Sequence, residues 1–272
     1  MQLNLLTIVW DANPEIFTIP GINWPIRWYG LLFVGGLFMS QYTLIKMFKT
    51  EGKSAQLVED LTIYVVLGTI IGARLGHILF YDLKDYLADP IEIFKVWHGG
   101  LASHGGAIGI LIGTYLFCKK YKIDYIWMLD RLVVVVCITS AMIRIGNLMN
   151  SEIIGKPTQL PWAFIFTEVD NVPRHPSQLY ESIFCFVLFI FLLYIWKNYR
   201  DKLGRGFIFG LFLILMWGQR FIVEFTKEVQ VDFESALPLD MGQILSIPFF
   251  LAGLYFIYQS TKNKVKDMGR VF

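Results

Sequence analysis

At 272 residues the chain has the length of one or two soluble domains. Its composition is not that of one: 55% of residues are hydrophobic and 17% charged, against about 25% charged in a soluble domain. Mean hydropathy is +0.52. The net charge of +2, from 24 Lys+Arg and 22 Asp+Glu, lacks the clustered basic excess of a nucleic-acid binder. The chain reads as an all-α polytopic membrane protein whose surrounding partner is the lipid bilayer.

In chain order, Met1 to Pro20 has no basic leading region and carries Asp11, Pro14 and Glu15, so it is expected to be neither a signal peptide nor a span. A crossing helix needs about 20 mostly apolar residues. Seven stretches qualify, at 27–48, 61–81, 100–118, 125–149, 177–196, 205–225 and 238–259. Short polar turns such as Glu51-Gly52-Lys53 and Asp89-Pro90 separate them. The longest connection, Asn150 to His175, holds three prolines and one glycine and is expected to form a structured cap, about 150–176, on one membrane face. The expected domain organisation is a single integral membrane domain over 1–272. Cys118, Cys137 and Cys185 all lie in apolar runs, and no metal-ligand or disulfide spacing is present.

The basic residues orient the spans. Fourteen Lys and Arg follow spans 1, 3 and 5 or lie in the tail, and six lie in the alternate loops. Cytoplasmic loops carry the excess. The N-terminus is therefore expected outside, the C-terminus inside, and the Asn150–His175 loop facing outward.

Four arginines remain, all within spans: Arg74, Arg131, Arg144 and Arg220. Each costs at least ~2.5–3.5 kcal/mol to insert at mid-helix, so such residues ordinarily mark a function. Arg131, beside Asp130 near the start of span 4, can pair locally or snorkel. Arg74 and His77 share one helix face, either as a packing pair or as part of a site. Arg144 opens Arg-Ile-Gly-Asn-Leu-Met-Asn-Ser-Glu, which places Asn147, Asn150 and Glu152 at the outer end of span 4. Arg220 is followed at i+4 by Glu224 on the same face. Two guanidinium forks at similar depth suit a bound phosphate, and the alternative is a pair of Arg–carboxylate braces between helices.

The segment Trp97 to Gly109 places His98 in a loop and His104 among glycines at the outer end of span 3. A neutral imidazole there can accept a proton, or serve as a hydrogen-bonded helix-end residue. Pro176 suits the first turn of span 5, with Arg174 and His175 near that helix's positive end. Gln178, Tyr180 and Glu181 are expected to brace the cap rather than react.

Several segments in order resemble the prolipoprotein diacylglyceryl transferase family over almost the whole chain. They are Arg27-Trp28-Tyr29-Gly30, Gly72-Ala73-Arg74-Leu75-Gly76-His77, His104-Gly105-Gly106, and Arg144-Ile145-Gly146-Asn147 through Asn150, Glu152 and Gly155. They continue with His175-Pro176-Ser177-Gln178-Leu179-Tyr180-Glu181, Arg220 with Glu224, and Met241-Gly242-Gln243-Ile244-Leu245-Ser246. The resemblance implies transfer of the diacylglyceryl group of phosphatidylglycerol to the thiol of a prolipoprotein lipobox cysteine, at the outer face of the bacterial inner membrane. A thioether forms and glycerol 1-phosphate leaves, with no cofactor and no metal. It further implies Arg144 and Arg220 as phosphate clamps, His104 as the base, and Tyr29, Asn147 and Gly155 as lipid-binding positions. Glu152 and Glu224 would orient the arginines, with Asn150, Arg74 and His77 in support. Some members carry a tyrosine four residues before the second arginine, where this chain has Met216.

Two other classes also bury arginines. An anion transporter or channel predicts polar residues through to the inner face and repeat symmetry, whereas the inner halves of spans 3 and 5 are almost purely apolar and no repeat is seen. A non-catalytic scaffold leaves the insertion cost of the arginines unexplained.

Overall fold

A computed structural model describes residues 7–21, 23–95, 99–228 and 239–268. His98, residue 238 at the head of the expected seventh span, and Arg270 lie outside them. Eight α-helices are described: α1 (Trp28–Thr50), α2 (Gln56–Phe80), α3 (Leu83–Ala88), α4 (Ser103–Tyr121), α5 (Tyr125–Met149), α6 (Ser177–Tyr199), α7 (Phe207–Glu224) and α8 (Met241–Met268). Five short strands accompany them: β1 (Ile8–Trp10), β2 (Glu15–Ile19), β3 (Trp24–Arg27), β4 (Phe164–Phe166) and β5 (Pro173–Arg174).

Among the described residues six helices are long and apolar enough to cross a membrane, α1, α2, α5, α6, α7 and α8, against seven expected. The difference is α4. Its 19 residues include His104, four glycines and the Lys119-Lys120 pair, which dilute an otherwise apolar run. Large apolar side chains such as Phe38, Ile71, Val187 and Tyr258 stand exposed on the helices, as expected where the neighbour is lipid rather than water.

The chain forms two compact units, Thr43–Leu129 and the remainder. In the first, α2 and α4 meet through glycines. A Cβ at Gly68, Gly72 or Gly76 would overlap the backbone of Gly105 or Gly109, and one at Gly113 would overlap Tyr64. With little hydrophobic force between helices in lipid, such close backbone approach supplies the packing.

In the other unit, α5 holds its neighbours by polar side chains. Ser40 of α1 hydrogen-bonds Thr139 Oγ1 at 2.7 Å and Val135 O at 2.8 Å. Ser182 of α6 donates to Ala141 O at 3.0 Å. Asp130 accepts from the backbone N–H groups of Gly206 and Phe209, both at 2.8 Å, and so caps the start of α7. A carboxylate suits that positive helix end. Helices α7 and α8 approach through Gly210 and Gly253, and Trp217 stacks on Phe249 at 4.3 Å.

The 150–176 connection, expected to form a cap, carries strands that the sequence reading did not anticipate. β1 pairs parallel with β4, which pairs antiparallel with β5. Phe164, Phe166 and Leu148 form its core with Trp10, Ile154 and Leu179. The antiparallel hairpin β2–β3 leads directly into α1 and sets the position of Tyr29, its second residue.

Candidate functional site

The helix bearing Arg144 ends in a way that builds the site. Glu152 N donates to Asn147 O at 2.9 Å and Ser151 N to Leu148 O at 3.1 Å, the paired bonds of a Schellman C-cap. Ser151, at the position glycine normally takes, has φ 53°, and Ile153 has φ 57°. Two non-glycine residues in the left-handed region flank Glu152, a cost of order 1 kcal/mol or more each that tends to concentrate at functional sites. The turn carries Glu152 back over Asn147, where other helices place an apolar contact. Asn147 Nδ2 donates to Glu152 Oε2 at 3.0 Å, and Asn150 Nδ2 to Glu152 Oε1 at 3.1 Å. Gln178 Nε2 donates to the Glu152 carbonyl. Arg144 Nη1 donates to Asn147 Oδ1 at 3.3 Å. Glu152 therefore reaches Arg144 through Asn147.

The direct carboxylate partner of Arg144 is Glu181, whose Oε2 lies 2.9 Å from Arg144 Nε. Glu181 was expected only to brace the cap. Its other oxygen accepts from Lys227 Nζ at 2.9 Å, and Lys227 also donates to Glu224 Oε2 at 3.1 Å. Glu181 and Lys227 are both buried. Glu224 is thus engaged with Lys227 rather than Arg220, a correction to the expected pairing: the i+3 lysine folds back over the helix end and takes the carboxylate.

Arg220 stands outside this network. Among the described residues it has no carboxylate partner. Its Nε is buried with no hydrogen-bond partner there, and its guanidinium lies 5.8 Å from the Trp217 ring centroid. A buried polar group without a partner is costly, and Asn150 Oδ1, Gln178 Oε1 and Gln219 Nε2 are also buried without one among the described residues.

Tyr29 packs on Gly146, where a Cβ would come within 2.8 Å of its ring. Gly155 sits in the cap with its N–H on His175 O at 3.0 Å, and its backbone pairs with Lys227. Arg174 forks onto Asp170, with Nη2 to Oδ2 at 2.6 Å, and reaches Glu228 at 2.8 Å and Gly155 O at 3.2 Å. That contact holds the Asp170 carboxyl below the usual aspartate range. Burial pushes the His175 imidazole below the usual histidine value, and its Nδ1 lies 3.2 Å from the Tyr180 hydroxyl. Pro176 is the cap residue preceding α6. Met216 lies against Cys185, sulfur to sulfur at 4.0 Å.

In the Thr43–Leu129 unit, Arg74 is buried and bonded to backbone carbonyls. It donates to the carbonyls of Glu92, Ile93, Lys95, Gly99 and Gly100 and lies over the Tyr86 ring, tying the 92–95 stretch to the residues just before α4. His77 pairs with Asp82 at 2.8 Å and stacks on Tyr81. His104 is exposed in the first turn of α4. Arg131, buried beside Asp130, stays within the α7 cap region. Among the described residues no group of three or more His, Cys, Asp or Glu side chains is placed to hold a metal.

A sequence model of the family described as prolipoprotein diacylglyceryl transferase matches residues 14–259. A phosphatidylglycerol–prolipoprotein diacylglyceryl transferase of Bacteroides fragilis is 45% identical over 96% of this chain and 98% of its own length. The protein of that name from Chloroherpeton thalassium is 45% identical over 94% and 95%, and that of Tolumonas auensis 40% over 95% and 100%.

Proposed function

The chain belongs to the prolipoprotein diacylglyceryl transferase family, and we propose on that premise that it moves the diacylglyceryl group of phosphatidylglycerol onto a prolipoprotein lipobox cysteine, the first step of bacterial lipoprotein maturation. The observation that carries this reading is Arg220, a buried guanidinium whose Nε lacks a partner and whose nearest carboxylate on the same helix is turned to Lys227.

In the reaction the cysteine sulfur attacks the glyceryl carbon, a carbon–sulfur bond forms, and the carbon–oxygen bond to phosphate breaks. The leaving glycerol 1-phosphate gains a negative charge. Arg144, fixed at its Nε by Glu181, and Arg220 are the groups that stabilise it. The thiol gives up its proton because the thiolate is the nucleophile, and His104 is the base we assign. Tyr29, Asn147 and Gly155 line the lipid side, with Asn150 and Glu152 holding Asn147 and Arg144 in place. The substrate supplies the nucleophile, so the buried Cys118, Cys137 and Cys185 are spectators.

The whole chain acts as one domain in the inner membrane, with N-terminus outside, C-terminus inside and the 150–176 cap on the outer face. α4 serves as the seventh span. At about 1.5 Å per residue its 19 residues reach about 28 Å, close to the hydrocarbon thickness. Its glycines are covered by α2.

The test is an assay in detergent with phosphatidylglycerol and a lipobox peptide, read by mass spectrometry for the diacylglyceryl adduct. The adduct is expected with wild-type protein and absent with a Cys→Ser peptide or with Arg144→Ala or Arg220→Ala enzyme. Folded arginine variants that retain full turnover would sink the clamp assignment. No adduct from folded wild-type protein would sink the reaction itself.

A further inference from the structure

We infer that Lys227 is a positioning residue that keeps Arg220 open for the lipid phosphate by holding Glu224 away from it. This deepens the transferase reading and rests on it. Arg220 and Glu224 stand four residues apart on α7, the spacing at which arginine and carboxylate on a helix ordinarily pair. Here they do not. Glu224 Oε2 lies 3.1 Å from Lys227 Nζ, and the same ammonium holds Glu181 Oε1 at 2.9 Å. Gly242, the second residue of α8, makes the arrangement possible: a Cβ there would overlap the Glu224 carboxylate. The carboxylate therefore rests against the positive end of α8 as well as on the lysine.

The lysine owes its place to the cap. Lys156 N donates to Thr226 O at 2.8 Å and Glu228 N to Ile154 O at 3.3 Å, with Gly155 paired to Lys227 between them. This short ladder turns the Lys227 side chain inward, where it is 5% exposed. Buried between two carboxylates, it acts on Arg220 through Glu224.

Without Lys227, Glu224 has Arg220 as its neighbour on the same face. A carboxylate tethered to the helix would then compete with the phosphate for one guanidinium fork. Competition weakens lipid binding, whereas the lipid that does bind meets an unaltered Arg220. The signature is a change in KM for phosphatidylglycerol with little change in kcat.

The experiment compares full-length wild-type protein with Lys227→Met, Lys227→Arg and Lys227→Met/Glu224→Gln, varying phosphatidylglycerol at saturating lipobox peptide and recording detergent melting temperature alongside. Lys227→Met is expected to raise KM by about tenfold, the scale of one charge-assisted hydrogen bond. Lys227→Arg is expected to stay near wild type. The double variant, having lost the competitor, is expected to recover most of the lost KM. A double variant as poor as Lys227→Met overturns the inference, because the lysine would then serve the lipid or the fold directly. If Lys227→Met alone does not accumulate, the charge-balanced double variant decides: a KM near wild type supports the inference and a raised KM overturns it. Wild-type protein that forms no adduct defeats the transferase reading and the inference together.

Discussion

Replacing Gly155 by alanine tests whether the cap and the charged network are one mechanical unit. Gly155 does not occupy the left-handed region, so alanine meets no conformational barrier there, only a steric one. The new Cβ would lie 2.5 Å from both His175 Cβ and His175 O, and 2.6 Å from Ser177 Oγ. Ordinary contact is about 3.5 Å, so these atoms must withdraw by about 1 Å. The obstacles at His175 are backbone or next to it, so no rotamer change relieves them. Withdrawal stretches the Gly155 N–His175 O bond beyond hydrogen-bonding range from its 3.0 Å. Overpacking costs about 1–3 kcal/mol and the lost bond about 1 more, for a total of roughly 2–4 kcal/mol. A shift of about 1 Å at a supporting residue can cost up to about 100-fold in rate, and because this one acts through displacement of Lys227, kcat/KM is expected to fall by up to about tenfold, the effect of losing that lysine's contact. The assay is initial-rate adduct formation with a detergent melting curve on the same preparation. Gly35→Ala, with nothing near its Cβ position, is the neutral control. A Gly155→Ala protein with wild-type rate and melting temperature would refute the reasoning.

Other expectations follow from the same contacts. Asp130→Ala strips two N–H groups at the head of α7 of their acceptor and should cost roughly 2–4 kcal/mol, seen as a lower melting temperature, with Asp130→Asn less affected. Equal melting of wild type and Asp130→Ala would contradict the cap. Gly72→Leu pushes a side chain into Gly105 and Gly109 and should separate α2 from α4, and unchanged melting would count against their glycine contact. Acidification should loosen the cap in two stages, read by hydrogen exchange of its amides. His175, pushed down by burial, contributes stability that is present above about pH 6.5 and lost as pH falls toward its folded value. Asp170, also pushed down, contributes stability present above about pH 3.9 and lost as pH falls through its lower folded value. Both groups are partly exposed, so the effects are small, and cap protection that rises on acidification would reverse the assignment.

The long apolar runs and the cost of charge in lipid made the helices and the Arg144 and Arg220 positions legible from sequence, because both signals are local. The Schellman turn was half legible, since Asn147, Asn150 and Glu152 were picked out without the turn that gathers them. Lys227 and Glu181 were not. Lys227 reads as an ordinary loop charge until residues 154–156 pair with 226–228, and nothing along the chain announces that pairing. Glu224 shows the limit of spacing arguments, because Arg220 four residues before it and Lys227 three residues after it were both on offer, and tertiary contacts chose between them. The expected span at 100–118 was read by its apolar centre, while the glycines of α4, which meet α2, and its terminal charges keep it below the other six in hydropathy.

The Asp130 cap has a consequence for depth. Arg144 stands fourteen residues beyond Asp130 on α5, and Arg220 fourteen residues beyond Gly206, whose N–H that carboxylate holds. At about 1.5 Å per residue, each guanidinium is carried about 21 Å from a common origin. The aspartate is thus the zero mark of a ruler with two equal arms, and the levelling of Arg144 and Arg220 is set at the opposite end of their helices. Deleting a single residue from either arm would drop one arginine by about 1.5 Å and swing it by about 100°. The spacing of this stretch carries information that no side chain in the site can supply.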